Sequence, residues 1–186
     1  MRILACADLH GRPERIARVR ALVAEHAPAV LLLPGDLTHA GFGKDALALL
    51  RGVPVPVLAV PGNMDAPFAA GEIRRAGGLG GADPVTIGEI TFGGPAVNQA
   101  VDVLVVHEPP HGTLDLIPSG RHIGSAHVLD VMSRLRPRVL TCGHVHESPG
   151  IERVGATLVI NCTMGDGKTQ GALIEVTVQE VTARLL

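Results

Sequence analysis

Short apolar runs rich in Val, Ile and Leu recur along the chain, separated by stretches with helical spacing. The run RILACA at 2–7 reads as a strand. Residues 13–26, PERIARVRALVAEH, then place Ile16, Val19, Leu22 and Val23 on one helical face behind a proline suited to a first turn. AVLLLPGD at 29–36 follows as a second strand, apolar without interruption, which implies cover on both of its faces. A helix over 43–51, a strand over 56–63 and a helix over 67–76 continue the alternation. At 77–94 the pattern changes to alternating apolar positions around Gly88-Glu89, as in an antiparallel hairpin, and predicts that a second sheet begins there. Strands over 101–110 and 138–144 flank a helix at 125–135, and 157–161 and 172–185 close the chain as strands. The fold class is therefore α/β. No internal repeat, low-complexity tract or linker interrupts it, so one domain spanning 1–186 is expected.

Composition narrows the function. The net charge is −2 and the basic residues are scattered, so the footprint needed to grip a long nucleic acid is missing. Aromatics make up 2% of the chain with no Trp or Tyr, which also removes the stacking platforms used on single strands. The apolar runs are strand-sized, far below the ~20 residues of a membrane span. The apolar start meets Asp8 too soon for a signal peptide, and a cytoplasmic location is expected. Cys6, Cys142 and Cys162 are odd in number, lack C-x-x-C spacing and sit in or beside apolar runs, and read as buried free thiols.

The chemistry lies at the strand ends. The first strand ends in Asp8-Leu9-His10, the second in Gly35-Asp36, the third in Gly62-Asn63, the 101–106 run in His107, and the 138–142 run in Gly143-His144-Val145-His146. Carboxyl ends of strands line the ligand crevice of an open α/β sheet, so these seven side chains are placed to converge. Two carboxylates, four imidazoles and one amide make a mixed nitrogen and oxygen set, suited to Mn, Fe, Zn, Ni or Co rather than to Ca. Seven ligands exceed one tetrahedral ion and suit two ions sharing a carboxylate.

The ordered set D-x-H, G-D, G-N-x-D, an isolated His after an apolar strand, and G-H-x-H resembles the signature of the calcineurin-like metallophosphoesterases from Met1 to about residue 165. The resemblance implies a four-layer α/β/β/α sandwich of two mixed sheets flanked by helices. It implies a first divalent ion on Asp8, His10 and His146, a second on Asn63, His107 and His144, and Asp36 bridging them, with manganese the expected metal. The implied activity is hydrolysis of a small phosphodiester by a hydroxide activated at the dinuclear centre. A phosphomonoesterase, or a catalytically weak metal-binding scaffold, is the alternative, and monomer or homodimer is left open.

One position departs from the family. Where most members carry a His after the ligand Asn, this chain has Met64, whose thioether has no proton to give. Met64 either packs into the core while another group donates the proton, His111 and His122 being the candidates, or leaves protonation to water. Family members without that His look more like diesterases, which favours a diester substrate here. In the PSGRHIGS loop at 118–125, Arg121 is the candidate for a bidentate phosphate contact. Asp65 is expected to orient neighbouring groups rather than to bind metal, and His26, His39 and His127 to be surface residues. MGDGKTQG at 164–171 echoes a phosphate-binding loop but has Cys162 where the first glycine belongs, and reads as a turn. Asn161-Cys162-Thr163 replaces the family's frequent Asn-Pro-Gly.

Overall fold

In the computed structural model, which describes residues 1–186, the apolar runs form two mixed sheets, each covered on its outer face by helices. The first sheet joins β1 (Arg2–Ala5), β2 (Val30–Pro34), β3 (Val57–Val60), β10 (Ala172–Val176) and β11 (Val181–Leu185) in the order β11-β10-β1-β2-β3. The second joins β4 (Val85–Ile87), β5 (Ile90–Gly93), β6 (Val103–Val105), β7 (Val139–Cys142), β8 (Gly150–Val154) and β9 (Thr157–Asn161) in the order β4-β5-β6-β7-β9-β8. Strands β1, β2 and β3 run parallel, as do β5, β6, β7 and β9, so two groups of carboxyl ends are available to build a site.

The period of two along each strand divides the core. Ile3, Ala5, Val30 and Leu32 face the second sheet and pack with Phe92, Val103, Val105, Val139 and Ile160. Leu4, Leu31 and Leu33 face outward under α1 (Pro13–His26), whose Ile16, Val19, Leu22 and Val23 are buried on them as the helical spacing predicts. On the other side Leu104, Leu140 and Val159 pack under Val128, Val131 and Met132 of α3 (Ala126–Leu135). Helix, sheet, sheet and helix make four layers. All three cysteines are buried and free, and burial raises the Cys6 thiol to about 12.

The departures from the expected elements have local causes. The predicted helix at 43–51 is a 3₁₀ segment, Lys44–Leu50, and Ala46 and Leu49, buried in the core, repeat at its three-residue period. The run at 101–110 yields only β6, because beyond it the chain turns through Pro109 and Pro110, which lack the N–H that a ladder needs. Strand β8 was not expected. It is a half-exposed edge strand with Glu152 and Arg153 at its centre, and so carries little apolar signal. Helix α2 (Pro67–Ala76) matches its prediction, as does the hairpin β4–β5. No helix is long and apolar enough to cross a membrane.

Candidate metal centre

The carboxyl ends of β1, β2 and β3 from one sheet and of β6 and β7 from the other meet at one edge of the sandwich, where they bring all seven expected residues together. The backbone there is unusual. Asp8, His10, Asp36 and His144 have φ of 61°, 49°, 52° and 69°, half of the eight non-glycine residues with positive φ in the chain. Each such residue costs about 1–3 kcal/mol and persists only where its surroundings hold it. Here they do. Asp8 N–H donates to Gly35 O at 3.1 Å and His10 N–H to Asp36 O at 2.8 Å, lacing the end of β1 to the end of β2. The His144 N–H donates to the Asp8 carboxylate, 3.0 Å from Oδ2, and ties the second sheet to the first.

The donor atoms gather in two groups, some within hydrogen-bond distance of one another and some slightly farther apart than ligands of one ion. Ligands about 2.0–2.2 Å from a borderline divalent ion stand roughly 3–3.6 Å from their neighbours in the same shell. In one group, His10 Nε2 lies 3.2 Å from His146 Nε2, which is 3.7 Å from Asp8 Oδ1. In the other, Asn63 Oδ1 lies 2.9 Å from His107 Nε2 and 2.9 Å from His144 Nδ1. Asp36 stands between them: its Oδ2 is 3.9 Å from His10 Nε2 and 3.5 Å from His107 Nε2. Its Oδ1 accepts from the Met64 N–H at 2.7 Å, so the carboxylate is fixed with one oxygen turned to both groups. Asp8 also reaches the second group, its carboxylate lying near those of Asp36 and the His107 ring. His107 Nδ1 donates to the Pro34 carbonyl at 3.0 Å, which leaves Nε2 facing the site.

Two close approaches make this convergence possible. A Cβ on Gly62 would stand 2.1 Å from Asp36 Oδ1, and one on Gly143 would stand 2.5 Å from Asp8 Oδ2. Only glycine lets the ends of β3 and β7 come so near the carboxylates.

Asp65 does what its place in the motif suggests. It is 7% exposed, and its Oδ2 accepts from Gly62 N at 2.9 Å and Leu37 N at 3.3 Å, while Oδ1 accepts from Thr38 N and Oγ1, both at 2.8 Å. One buried carboxylate thus binds the turn after β2 to the turn after β3. Asn161, fully buried, does likewise for the second sheet: its Nδ2 donates to Val145 O at 2.9 Å and Ser148 O at 3.0 Å, and its Oδ1 accepts from Thr163 N at 3.2 Å.

Charge is balanced across the cluster. Burial works to lower the pKa of His107, but the hydrogen bond and charge of Asp36, with Asp8 behind it, outweigh burial and raise it to about 9. Burial works to raise the Asp8 carboxyl, but the His146 hydrogen bond and the His107 charge hold it below its usual value. Burial lowers His10 and His144.

A cavity of about 680 Å³ opens over the cluster and is lined by His10, Asp36, Asn63, Met64, His144 and His146, joined by Arg12, Arg15, His39 and Phe42. Met64 is half-buried on this wall and does not enter the core. His39, expected as an ordinary surface residue, stands in the cleft with its Nδ1 3.4 Å from His10 Nδ1. Three expected site residues are not on the cavity wall. His111, His122 and Arg121 are exposed outside it, because their loop folds back on itself around buried Asp115. That carboxylate accepts from Gly112 N and Gly124 N at 2.9 Å each and from His122 Nδ1 at 2.6 Å. The cationic side of the cleft comes instead from Arg12 and from Arg15, whose guanidinium donates to Asp8 O at 2.6 Å. Neither arginine was anticipated. Their only signal is adjacency to the D-x-H-G turn. The 164–171 segment is a turn closed by Asp166, which accepts from Lys168 N and Thr169 N.

A family model described as calcineurin-like phosphoesterase matches residues 1–148. The uncharacterized protein MJ1162 of Methanocaldococcus jannaschii is 28% identical over 194 residues, covering 87% of each chain. Among solved structures, TT1561 of Thermus thermophilus superposes with a TM-score of 0.69 at 14% identity, covering 99% of this chain and 98% of its own. A structure described as a novel archaeal phosphodiesterase superposes at 0.64 and 17% identity over the full length of both. At such identities the structural likeness establishes the fold.

Two outcomes follow from the geometry. Asp65→Ala strands the buried N–H groups of Gly62, Leu37 and Thr38, and at about 1–3 kcal/mol for an unsatisfied buried group it should lower stability by at least ~2 kcal/mol in urea unfolding. The raised pKa of His107 makes its proton a stabilising partner in the metal-free protein. That contribution is complete below the unfolded value of about 6.5 and is lost as pH rises through about 9. Binding of Mn²⁺ at pH 7 should therefore release about one proton from His107, measured by calorimetry in buffers of different ionisation enthalpy, and metal affinity should rise with pH up to about 9.

Proposed function

The chain belongs to the calcineurin-like phosphoesterase family, and from that premise we propose that it hydrolyses small phosphodiesters at a dinuclear metal site. Asp8, His10 and His146 would hold one ion and Asn63, His107 and His144 the other, with Asp36 shared between them. The observation that carries this reading is the position of Asp36, one oxygen facing His10 and His107 at 3.9 and 3.5 Å while the other is held by the Met64 N–H. The mixed imidazole, carboxylate and amide donors suit Mn, Fe, Zn, Ni or Co. Two such ions, when bound, would lower the pKa of a water and neutralise charge on the phosphoryl oxygens.

The chain's own residues supply position and field. Water adds to phosphorus as the bond to the leaving ester oxygen breaks, giving a phosphomonoester and an alcohol. Arg12 and Arg15 line the same cavity and set positive charge there to attract a phosphoryl group. Asn63, exposed on the cavity wall, would meet the substrate as well as hold an ion. Met64 occupies the wall beside it, and no proton for the departing oxygen comes from that side chain. General acid assistance is typically worth about 10²–10⁴ in rate, so its absence weighs most on esters with poor leaving groups. A phosphomonoesterase is disfavoured on the same ground.

With added Mn²⁺, bis(p-nitrophenyl) phosphate should be cleaved faster than p-nitrophenyl phosphate, and Asp36→Ala should abolish both activities. A faster monoester reaction, or an active Asp36→Ala, sinks the assignment. Met64→His should raise turnover by roughly 10-fold or more for alkyl leaving groups and much less for p-nitrophenolate. An equal gain on both would show that proton donation is not what position 64 lacks.

A further inference from the structure

The cleft has few apolar side chains, and a defined turn carries one of them. Of the residues lining the cavity only Phe42 and Met64 are hydrophobic. They are joined through the backbone, Ala40 N–H donating to Met64 O at 2.8 Å. Phe42 is 76% exposed in a chain that has three phenylalanines and no Trp or Tyr. Of the other two, Phe92 is fully buried between the sheets, and Phe68, 62% exposed with Lys44 Nζ 5.2 Å from its ring centroid, does not line the cavity. Phe42 alone leaves a phenyl ring open to the cleft.

The turn that carries the ring is tied down through its backbone. His39 and Phe42 exchange backbone hydrogen bonds of 3.1 and 2.9 Å across Ala40 and Gly41, both with positive φ, as a two-residue primed turn requires. The base of this turn presses on the D-x-H-G segment, where a Cβ on Gly43 would meet Gly11 Cα at 2.3 Å and one on Gly11 would meet Gly43 Cα at 2.4 Å. Gly11 N–H donates to Leu37 O at 2.7 Å beside it. The segment that carries the candidate ligand His10 therefore also seats the turn that carries Phe42.

We infer that the His39–Phe42 turn is a specificity element, and that the preferred substrate is a phosphodiester carrying a planar aromatic ester group that packs against Phe42. This rests on the diesterase reading above. An apolar or planar group entering the cleft has only Phe42 and Met64 to bury its surface against, while Arg12, Arg15 and the imidazoles lining the same cavity are suited to the phosphate. A planar group on an open phenyl ring gains an offset-stacked contact in addition to area. An alkyl ester gains little from the same wall.

The test is calorimetric titration of the Mn²⁺-loaded protein with diphenyl phosphate and with dimethyl phosphate, in the original protein, Phe42→Ala and Phe42→Tyr. Hydrolysis of phenyl p-nitrophenyl phosphate and methyl p-nitrophenyl phosphate is followed alongside. Diphenyl phosphate should bind at least about 10-fold more tightly than dimethyl phosphate, and Phe42→Ala should cut that ratio by about 5-fold or more while Phe42→Tyr keeps it. Equal affinities in the original protein, or a ratio unchanged in Phe42→Ala, overturn the inference even if both diesters are hydrolysed. If neither diester is hydrolysed but the binding ratio depends on Phe42 as stated, the catalytic reading fails and the aromatic subsite stands.

Discussion

The carboxylate of Asp36 is the point on which the rest of the site is aligned. One oxygen is occupied by a backbone N–H from the turn after β3, so the other has a single direction left to face, and it faces imidazoles carried by two different sheets. Asp36 is itself in a left-handed conformation that its neighbours enforce through the His10 and Asp65 hydrogen bonds. The buried Asp65 therefore acts at one remove. It holds no ion in the proposed arrangement, yet it holds both loops that aim Asp36. Strain at the strand ends and the buried carboxylate that secures it belong to one design, in which stability is given up locally to pre-set donor positions.

Much of this was legible in the chain because parallel strands deliver their last residues to one edge, whatever their separation in sequence. An apolar run followed by Gly-Asp, Gly-Asn or Gly-His is therefore a statement about place as well as composition. The glycines of those pairs proved to be close contacts, and the Gly62 approach to Asp36 is the clearest case. The two-sheet architecture followed from the change of period at residues 77–94.

What was not legible depends on how loops fold in three dimensions. Arg121, His111 and His122 looked available because they lie between two ligand segments, but the loop closes around Asp115 and carries them away from the cleft. His39 read only as a surface residue and nothing in the sequence singled out Phe42, because it is the contact between Gly11 and Gly43, distant in sequence, that brings their turn over His10. Strand β8 was missed because an edge strand with charged central residues has no apolar signature, and the 3₁₀ segment because a period of three is hard to separate from 3.6 over seven residues.

The division of the donors between two sheets has a mechanical consequence. One jaw, with Asp8, His10, Asp36 and Asn63, belongs to the first sheet, and the other, with His107, His144 and His146, to the second. The gap between the jaws is set by the side chains packed between the sheets, Ile3, Leu32, Phe92, Val105 and Ile160 among them. The sandwich works as a caliper whose spacer is its own core. Interiors are close-packed and transmit small volume changes, so a methylene gained or lost in that layer is read at the far edge as a change in the distance between the jaws.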